Sequence, residues 1–206
     1  MMRESPRMRR LRTDLKALEA LRADSTILEF EARGNPPSEY LVRFLGKGFA
    51  RGLDQVRVVI QEVHEVNIRL GASYPRVVPE LQWKTPIFHP NISGSGSVCL
   101  GGYGTHWVPS LNLDELCEML WDMIRYANYD VTSPYNREAA DWARRQQKYR
   151  LPIDPRPIRD KLAAAQPAAE PGTLGVAAEE VLFLDGEEPV TAELVEPEPP
   201  DILIIE

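Results

Sequence analysis

Apolar residues near the N-terminus recur at three- and four-residue steps. Met8, Leu11, Leu15, Leu18 and Leu21 form one stripe, the spacing of an amphipathic helix. Arg7, Arg9, Arg10, Arg12 and Lys16 cover much of its remaining surface. After Asp24 the period shortens to two. Thr26 to Arg33, Tyr40 to Leu45, Val56 to Ile60 continuing as Val63 to Leu70, and Leu81 to Trp83 read as successive strands. Turn formers separate them, among them Gly34-Asn35-Pro36-Pro37 and Gly46-Lys47-Gly48. Connections this short predict an antiparallel meander with one face packed on a helix. Helical spacing returns at Asn112, an N-cap with Glu115 in the capping-box position. Leu113, Leu116, Cys117, Leu120, Met123, Ile124 and Ala127 then mark a core helix, and a shorter helix is expected from Asn136 to about Tyr149. Pro152, Pro155 and Pro157 interrupt the chain beyond it. The fold class is α+β: a four-stranded antiparallel meander with an N-terminal helix, a central core helix and C-terminal helices.

Charge divides the chain in two. The net charge is −7, yet eleven acidic residues and no Lys or Arg lie between Leu162 and Glu206. That leaves the rest mildly basic. Self-repulsion and six of the eighteen prolines oppose collapse of this end. The expected organisation is a folded domain over 1–155 and an acidic, proline-containing, partly disordered tail over 156–206. Two cysteines exclude a disulfide framework, and with three histidines at no ligand spacing they argue against a structural zinc. A reducing, cytoplasmic setting is expected. There is no apolar run of membrane-spanning length, so neither membrane insertion nor export is expected. Basic residues gathered on one helix speak against nucleic-acid binding, and they read either as a solvated helix face or as a docking surface for an acidic partner.

Between Tyr74 and Pro109 the sequence is irregular and carries five prolines and five glycines. Such a stretch inside a compact domain points to function. Cys99 sits in it, after Ser93-Gly94-Ser95-Gly96-Ser97 and before Gly101-Gly102-Tyr103-Gly104, small residues that allow close approach. An accessible thiol is implied. Cys117, inside the helical stripe, reads as a buried hydrophobe.

The run Leu70-Gly71-Ala72-Ser73-Tyr74-Pro75, Pro79, Lys84-Thr85-Pro86-Ile87-Phe88-His89-Pro90-Asn91-Ile92, Gly96-Ser97-Val98-Cys99-Leu100 and Trp107-Val108-Pro109-Ser110-Leu111 resembles the ubiquitin-conjugating enzyme family. The likeness covers about 8–150 and is strongest between Leu70 and Leu120. It implies that Cys99 receives ubiquitin or a ubiquitin-like protein as a thioester from an activating enzyme and passes it to an amine, with a ligase as a further partner. No cofactor or metal is implied, since ATP is consumed by the activating enzyme. By the same resemblance Asn91 stabilises the oxyanion or braces the loop through its backbone, roles that are compatible. His89 and Pro90 shape the loop, Trp107 and Pro109 pack beneath the segment after Cys99, and Tyr74, Pro75 and Pro79 set the entry. Arg7, Arg9, Arg10, Arg12 and Lys16 become candidates for binding the activating enzyme.

Departures matter too. Many family members place an acidic residue where Ser133 stands, to hold and deprotonate the incoming lysine; here Asp130 or a partner protein would have to supply the charge. Gly101 replaces an aspartate often found two residues after the cysteine, and His106 is a further candidate base. These differences, with five Lys against nineteen Arg, suggest a distant branch such as a bacterial conjugation system. The alternative is a scaffold of the same fold that binds a ubiquitin-like partner without catalysis. In the tail, Val181-Leu182-Phe183-Leu184 and Ile202-Leu203-Ile204-Ile205 are strand-sized apolar patches set in acid. Each reads as a segment for sheet-edge binding, as an intramolecular strand, or as part of a solvated, non-binding tail.

Overall fold

The computed structural model describes residues 4–100 and 108–165. Among these the order is α1 (Pro6–Ala23), β1 (Leu28–Gly34), β2 (Pro37–Arg51), β3 (Val58–Arg69), β4 (Glu80–Trp83), α2 (Leu113–Ile124), α3 (Arg137–Arg145) and α4 (Asp160–Ala165). The four strands pair antiparallel in the order β1-β2-β3-β4. The tail from Gln166 onward, with both of its apolar patches, lies outside the described residues.

Ser5 starts α1 by accepting the Met8 amide on its hydroxyl at 3.3 Å, with Pro6 at the first helical position. Of the predicted stripe, Leu11, Leu18 and Leu21 are fully buried, while Met8 and Leu15 pack at its margin. Asp14 occupies a core-facing position that the periodicity did not mark. In α2 the Asn112 amide donates to Glu115 Oε2 at 2.7 Å, closing the capping box. Leu113, Leu116, Cys117, Leu120, Trp121 and Ile124 of α2 face Tyr40, Val42 and Phe44 of β2 and Val66 and Ile68 of β3 in one core. Trp121 stacks on Phe44 with centroids 6.4 Å apart. Each such side chain contributes about 1.5–3 kcal/mol on burial. A second cluster gathers Phe49, Phe88, Tyr126, Trp142 and Ala139 at the other end of the sheet.

The sequence expectation fails at Gly46-Lys47-Gly48, which is no turn. β2 runs through it to Arg51, and the register shifts between Leu45 and Gly48, so one extra residue bulges from this strand. The glycines answer to packing rather than to chain reversal. A Cβ on Gly46 would lie 2.4 Å from the Trp121 ring, and one on Gly48 would lie 2.7 Å from His64 Nε2. The reversal comes later, where Asp54 Oδ1 accepts the amides of Val56 and Arg57 at 3.0 Å each.

The helix expected to reach Tyr149 stops at Arg145. Gln146 turns extended, and its side chain binds both the amide and the carbonyl of Tyr149, whose ring packs on Phe49 and Trp142. Beyond it, Ile153 N donates to Arg125 O, Arg156 O accepts Trp121 Nε1, and Arg156 binds Leu45 O. Arg159 bridges Asp24 and Asp114 at 2.9 Å each. Residues 156–165, placed with the tail on composition, are thus tied to the body, and the described fold extends through Ala165.

Gly46→Ala is expected to lose about 1–3 kcal/mol in urea unfolding, because the Trp121 ring is buried and has nowhere to move. Gly94→Ala, with open space around its Cα, should stay within about 0.5 kcal/mol. Equal stability of the two variants would remove the packing account of the bulge.

Candidate active site

The segment after β4 is fixed before it reaches the candidate residues. Lys84 N donates to Glu65 O at 2.8 Å, and the Thr85 hydroxyl accepts Glu65 N at 3.0 Å. Phe88 N donates to Phe49 O at 2.7 Å, and the Phe88 carbonyl accepts the Tyr126 hydroxyl at 2.6 Å. The Arg51 guanidinium lies 4.1 Å over the Phe88 ring.

His89 comes next, fully buried, with its ring edge-on to Tyr126 at 4.9 Å. Its Nδ1 accepts the Asn91 amide at 3.1 Å, which leaves the ring proton on Nε2. Burial lowers its pKa to about 3, opposed only by the Asn128 backbone. A neutral, enclosed imidazole whose Nδ1 lone pair is occupied shapes the loop rather than moving protons. The Pro90 carbonyl accepts the amide of Asn136, the N-cap of α3, at 2.8 Å.

Asn91 joins three pieces of chain. Its side chain is 4% exposed. Nδ2 donates to Asp130 O at 2.9 Å, and Oδ1 accepts Asp130 N at 2.7 Å. Its own carbonyl accepts the amide of Cys99 at 2.8 Å. That last bond closes a short hairpin. Ile92 bridges Val98, Ser93 N donates to Ser97 O, and Ser97 N donates to Ser93 Oγ. Gly96 turns the chain at φ 88°, where a Cβ would also lie 2.4 Å from Trp83 O. Trp83 N donates to Gly96 O at 2.8 Å, and Gln82 Nε2 donates to Ser95 O at 2.6 Å, so the turn is pinned to β4.

The hairpin converts a separation of eight residues into adjacency of Asn91 and Cys99. Cys99 is partly exposed, whereas Cys117 is fully buried and its thiol pKa is pushed up by desolvation. Asp130 turns its Oδ1 onto the Thr132 hydroxyl and amide at 2.6 Å each, which holds its carboxyl below the usual range. Ser133 is exposed on the same loop. Trp107, Gly101 and His106 lie outside the described residues.

On α1 the predicted basic set splits. Arg9, Arg12 and Lys16 are exposed, and Arg12 pairs with Glu4 at 2.9 Å. Arg7 instead donates to the carbonyls of Leu70 and Gly71, and Arg10 pairs with buried Asp14 at 2.9 Å. Tyr74 is also turned to α1, its hydroxyl donating to Asp14 Oδ2 at 2.7 Å. Tyr126, Asn136 and Gln82, which hold the site together, were missed as site residues. Only Asn136 carried a signal, as a helix start.

Comparison with known proteins finds similarity over part of the chain. A family model described as "Ubiquitin-conjugating enzyme" matches residues 60–153. "Ubiquitin-conjugating enzyme E2 16" of Schizosaccharomyces pombe is 36% identical over 84 residues, 40% of this chain and 51% of that protein. "Nedd8-conjugating enzyme UbcE2M" of Drosophila melanogaster is 36% identical over 75 residues, 36% of this chain and 40% of the relative. The chain thus spans between about two fifths and half the length of these curated relatives. Among solved structures, S. cerevisiae Ubc12 superposes with a TM-score of 0.55 over 70% of this chain and 72% of its own, at 22% identity, a likeness of fold.

Two buried histidines give the fold a pH dependence. Desolvation lowers His64 to about 4 and His89 to about 3, against 6.5 when unfolded. The unfolded chain therefore binds protons first, and stability is full above the unfolded value and falls as pH drops toward the folded ones. Asp14, raised by burial, opposes part of this loss. The urea midpoint should be level between pH 7.5 and 8.5, with a loss on the order of 2 kcal/mol per histidine by pH 5. A midpoint unchanged between pH 8 and pH 5 would mean that the rings are not buried neutral.

Proposed function

Because the chain belongs to the ubiquitin-conjugating enzyme family, we propose that it carries ubiquitin or a ubiquitin-like protein as a thioester on Cys99 and transfers it to an amine. The observation that carries this reading is the hairpin that sets a partly exposed Cys99 on the carbonyl of Asn91. A scaffold that only bound a partner would need no accessible thiol there.

In the loading step the Cys99 sulfur attacks the thioester on the activating enzyme. A new S–C bond forms as the activating enzyme's thiolate leaves. In the transfer step an amine attacks the same carbonyl carbon, and the Cys99 thiolate departs. Both steps build negative charge on the carbonyl oxygen. Asn91 Nδ2 has two hydrogens, and the bond to Asp130 O uses one. The other is the proposed oxyanion donor, and the same Asp130 bonds hold the amide plane ready for it. The two roles expected of Asn91 become one. Asp130, ionised on the loop that also carries Ser133, is the proposed group that attracts the incoming ammonium, in place of the missing acidic residue.

The exposed trio Arg9, Arg12 and Lys16 is the proposed face for the activating enzyme, while Arg7 and Arg10 act inside the fold. The distant-branch features make a bacterial conjugation system the proposed setting.

Incubation with an activating enzyme, its modifier and ATP should give an adduct that reductant cleaves. Cys99→Ala should give none, and Cys99→Ser should give an ester that survives reductant. An adduct persisting in Cys99→Ala would remove the reading. Reversing Arg9, Arg12 and Lys16 to Glu should slow loading at least tenfold at low salt, and by less at 0.5 M salt. Unchanged loading kinetics would place the docking surface elsewhere.

A further inference from the structure

The turn between β2 and β3 holds a leucine in the open. Leu53 is fully exposed and Val56 is 73% exposed, although the turn around them is bonded throughout. Gly52 N donates to Arg57 O and Gln55 N to Gly52 O at 2.8 Å each, while Asp54 accepts two amides and the Arg57 guanidinium. Arg51 ties the turn to α3, donating to Val56 O and to the carboxylate of Glu138. Single surface leucines are ordinary. This one, on a fixed turn, borders a groove of about 520 Å³.

Four pieces of chain wall the groove: the turn with Leu53, the segment from Trp83 to Phe88, the turn Ser93–Gly96, and the start of α3 at Asn136 and Glu138. Three charged side chains line it, and Arg51 and Glu138 neutralise each other. That leaves Lys84, which is exposed and forms no ion pair among the described residues. A lone ammonium set beside apolar surface is complementary to a carboxylate on an incoming chain.

The groove is continuous with the candidate site. Ser93–Gly96 is the turn of the hairpin that ends at Cys99, carried there by the Ser93–Ser97 and Ile92–Val98 pairs and by Cys99 N on Asn91 O. Gly96 and Cys99 are three residues apart, at most about 10 Å of extended chain. A peptide lying in the groove covers the same span in about three to five residues of its own.

We propose that this groove docks the acceptor: an extended segment of the protein to be modified, with an acidic side chain on Lys84 and an apolar one on Leu53, about three to five residues from the lysine that takes the modifier. This rests on the reading of Cys99 as the thioester carrier and adds to it which lysines are served. The acceptor lysine loses its proton and attacks the thioester carbonyl; an amide bond forms, and the Cys99 thiolate leaves.

The test uses two peptides, each with one lysine and a Leu-Glu pair placed four residues before it or four residues after it, and counterparts with Arg in place of Glu. Cys99 of the full chain is loaded, ATP is removed, and loss of the thioester is followed with each peptide and with free lysine. The ratio of the two rates is the readout. In the wild type one acid-bearing peptide should exceed its arginine counterpart about fivefold in that ratio. Lys84→Glu should invert the preference, and Leu53→Ser should lower the ratio of the acid-bearing peptide about threefold. A wild type indifferent to the acid, or a preference unchanged in Lys84→Glu, overturns the proposal. So does an acid-bearing peptide that binds without faster transfer, which would assign the groove to another partner. Should the wild type form no thioester, the carrier reading falls, and the docking of such a segment is decided by fluorescence anisotropy of the labelled acid-bearing peptide. Its affinity for the wild type should exceed that for Lys84→Glu about fivefold, and equal affinities overturn the groove as well.

Discussion

Two hydrogen bonds between the Asn91 side chain and the main chain of Asp130 hold the candidate site in one arrangement. Both bonds belong to a side chain almost closed to solvent, where an unmade bond costs about 1–3 kcal/mol. The pair therefore locks two loops that have no strand pairing with each other. From the same residue the carbonyl reaches Cys99, and the amide reaches His89 Nδ1. Asn91 thus meets the needs of its neighbours with its backbone and those of a distant loop with its amide. His89, Pro90 and Phe88 extend the same logic, each tied to a different element.

Much of the fold could be read from residue periods. The stripe of α2 and its Asn112 cap need only local rules, and the strands match alternation. The hairpin order was also legible, because short links leave few topologies. What stayed hidden depends on partners far along the chain. Gly46 and Gly48 look like turn residues until Trp121 and His64 are known to press on them. Asp14 looks like a solvent-facing charge until Tyr74, Arg10 and the Leu113 amide converge on it. Tyr126 carries no local mark, although its hydroxyl fixes the Phe88 carbonyl. At the candidate site, the partial exposure of Cys99 was legible from its small neighbours, but the contact with Asn91 required a hairpin whose turn depends on Gly96 and the edge of β4.

Charge on α1 shows how one helix serves two ends. Arginines one step apart point in opposite directions: Arg9 outward, Arg10 into a network with a buried carboxylate. A count of basic residues treats them alike. Their chemistry differs, since an exposed guanidinium is screened by salt, whereas a buried one with full partners is not.

The bulge in β2 has a consequence for parity. Phe44 stands opposite His64, and Phe49 stands opposite Ile60; in β3 these partners are an even number of positions apart and so share a face. In β2 the two phenylalanines are an odd number apart, which an unbroken pleat would send to opposite sides. The supernumerary residue restores the phase. Were all the residues of β2 to pair without the bulge, Phe49 would turn away from Phe88, Tyr126 and Trp142 and empty the aromatic cushion on which the His89 loop rests, whereas removing Lys47 itself would leave the two rings an even number apart and in phase.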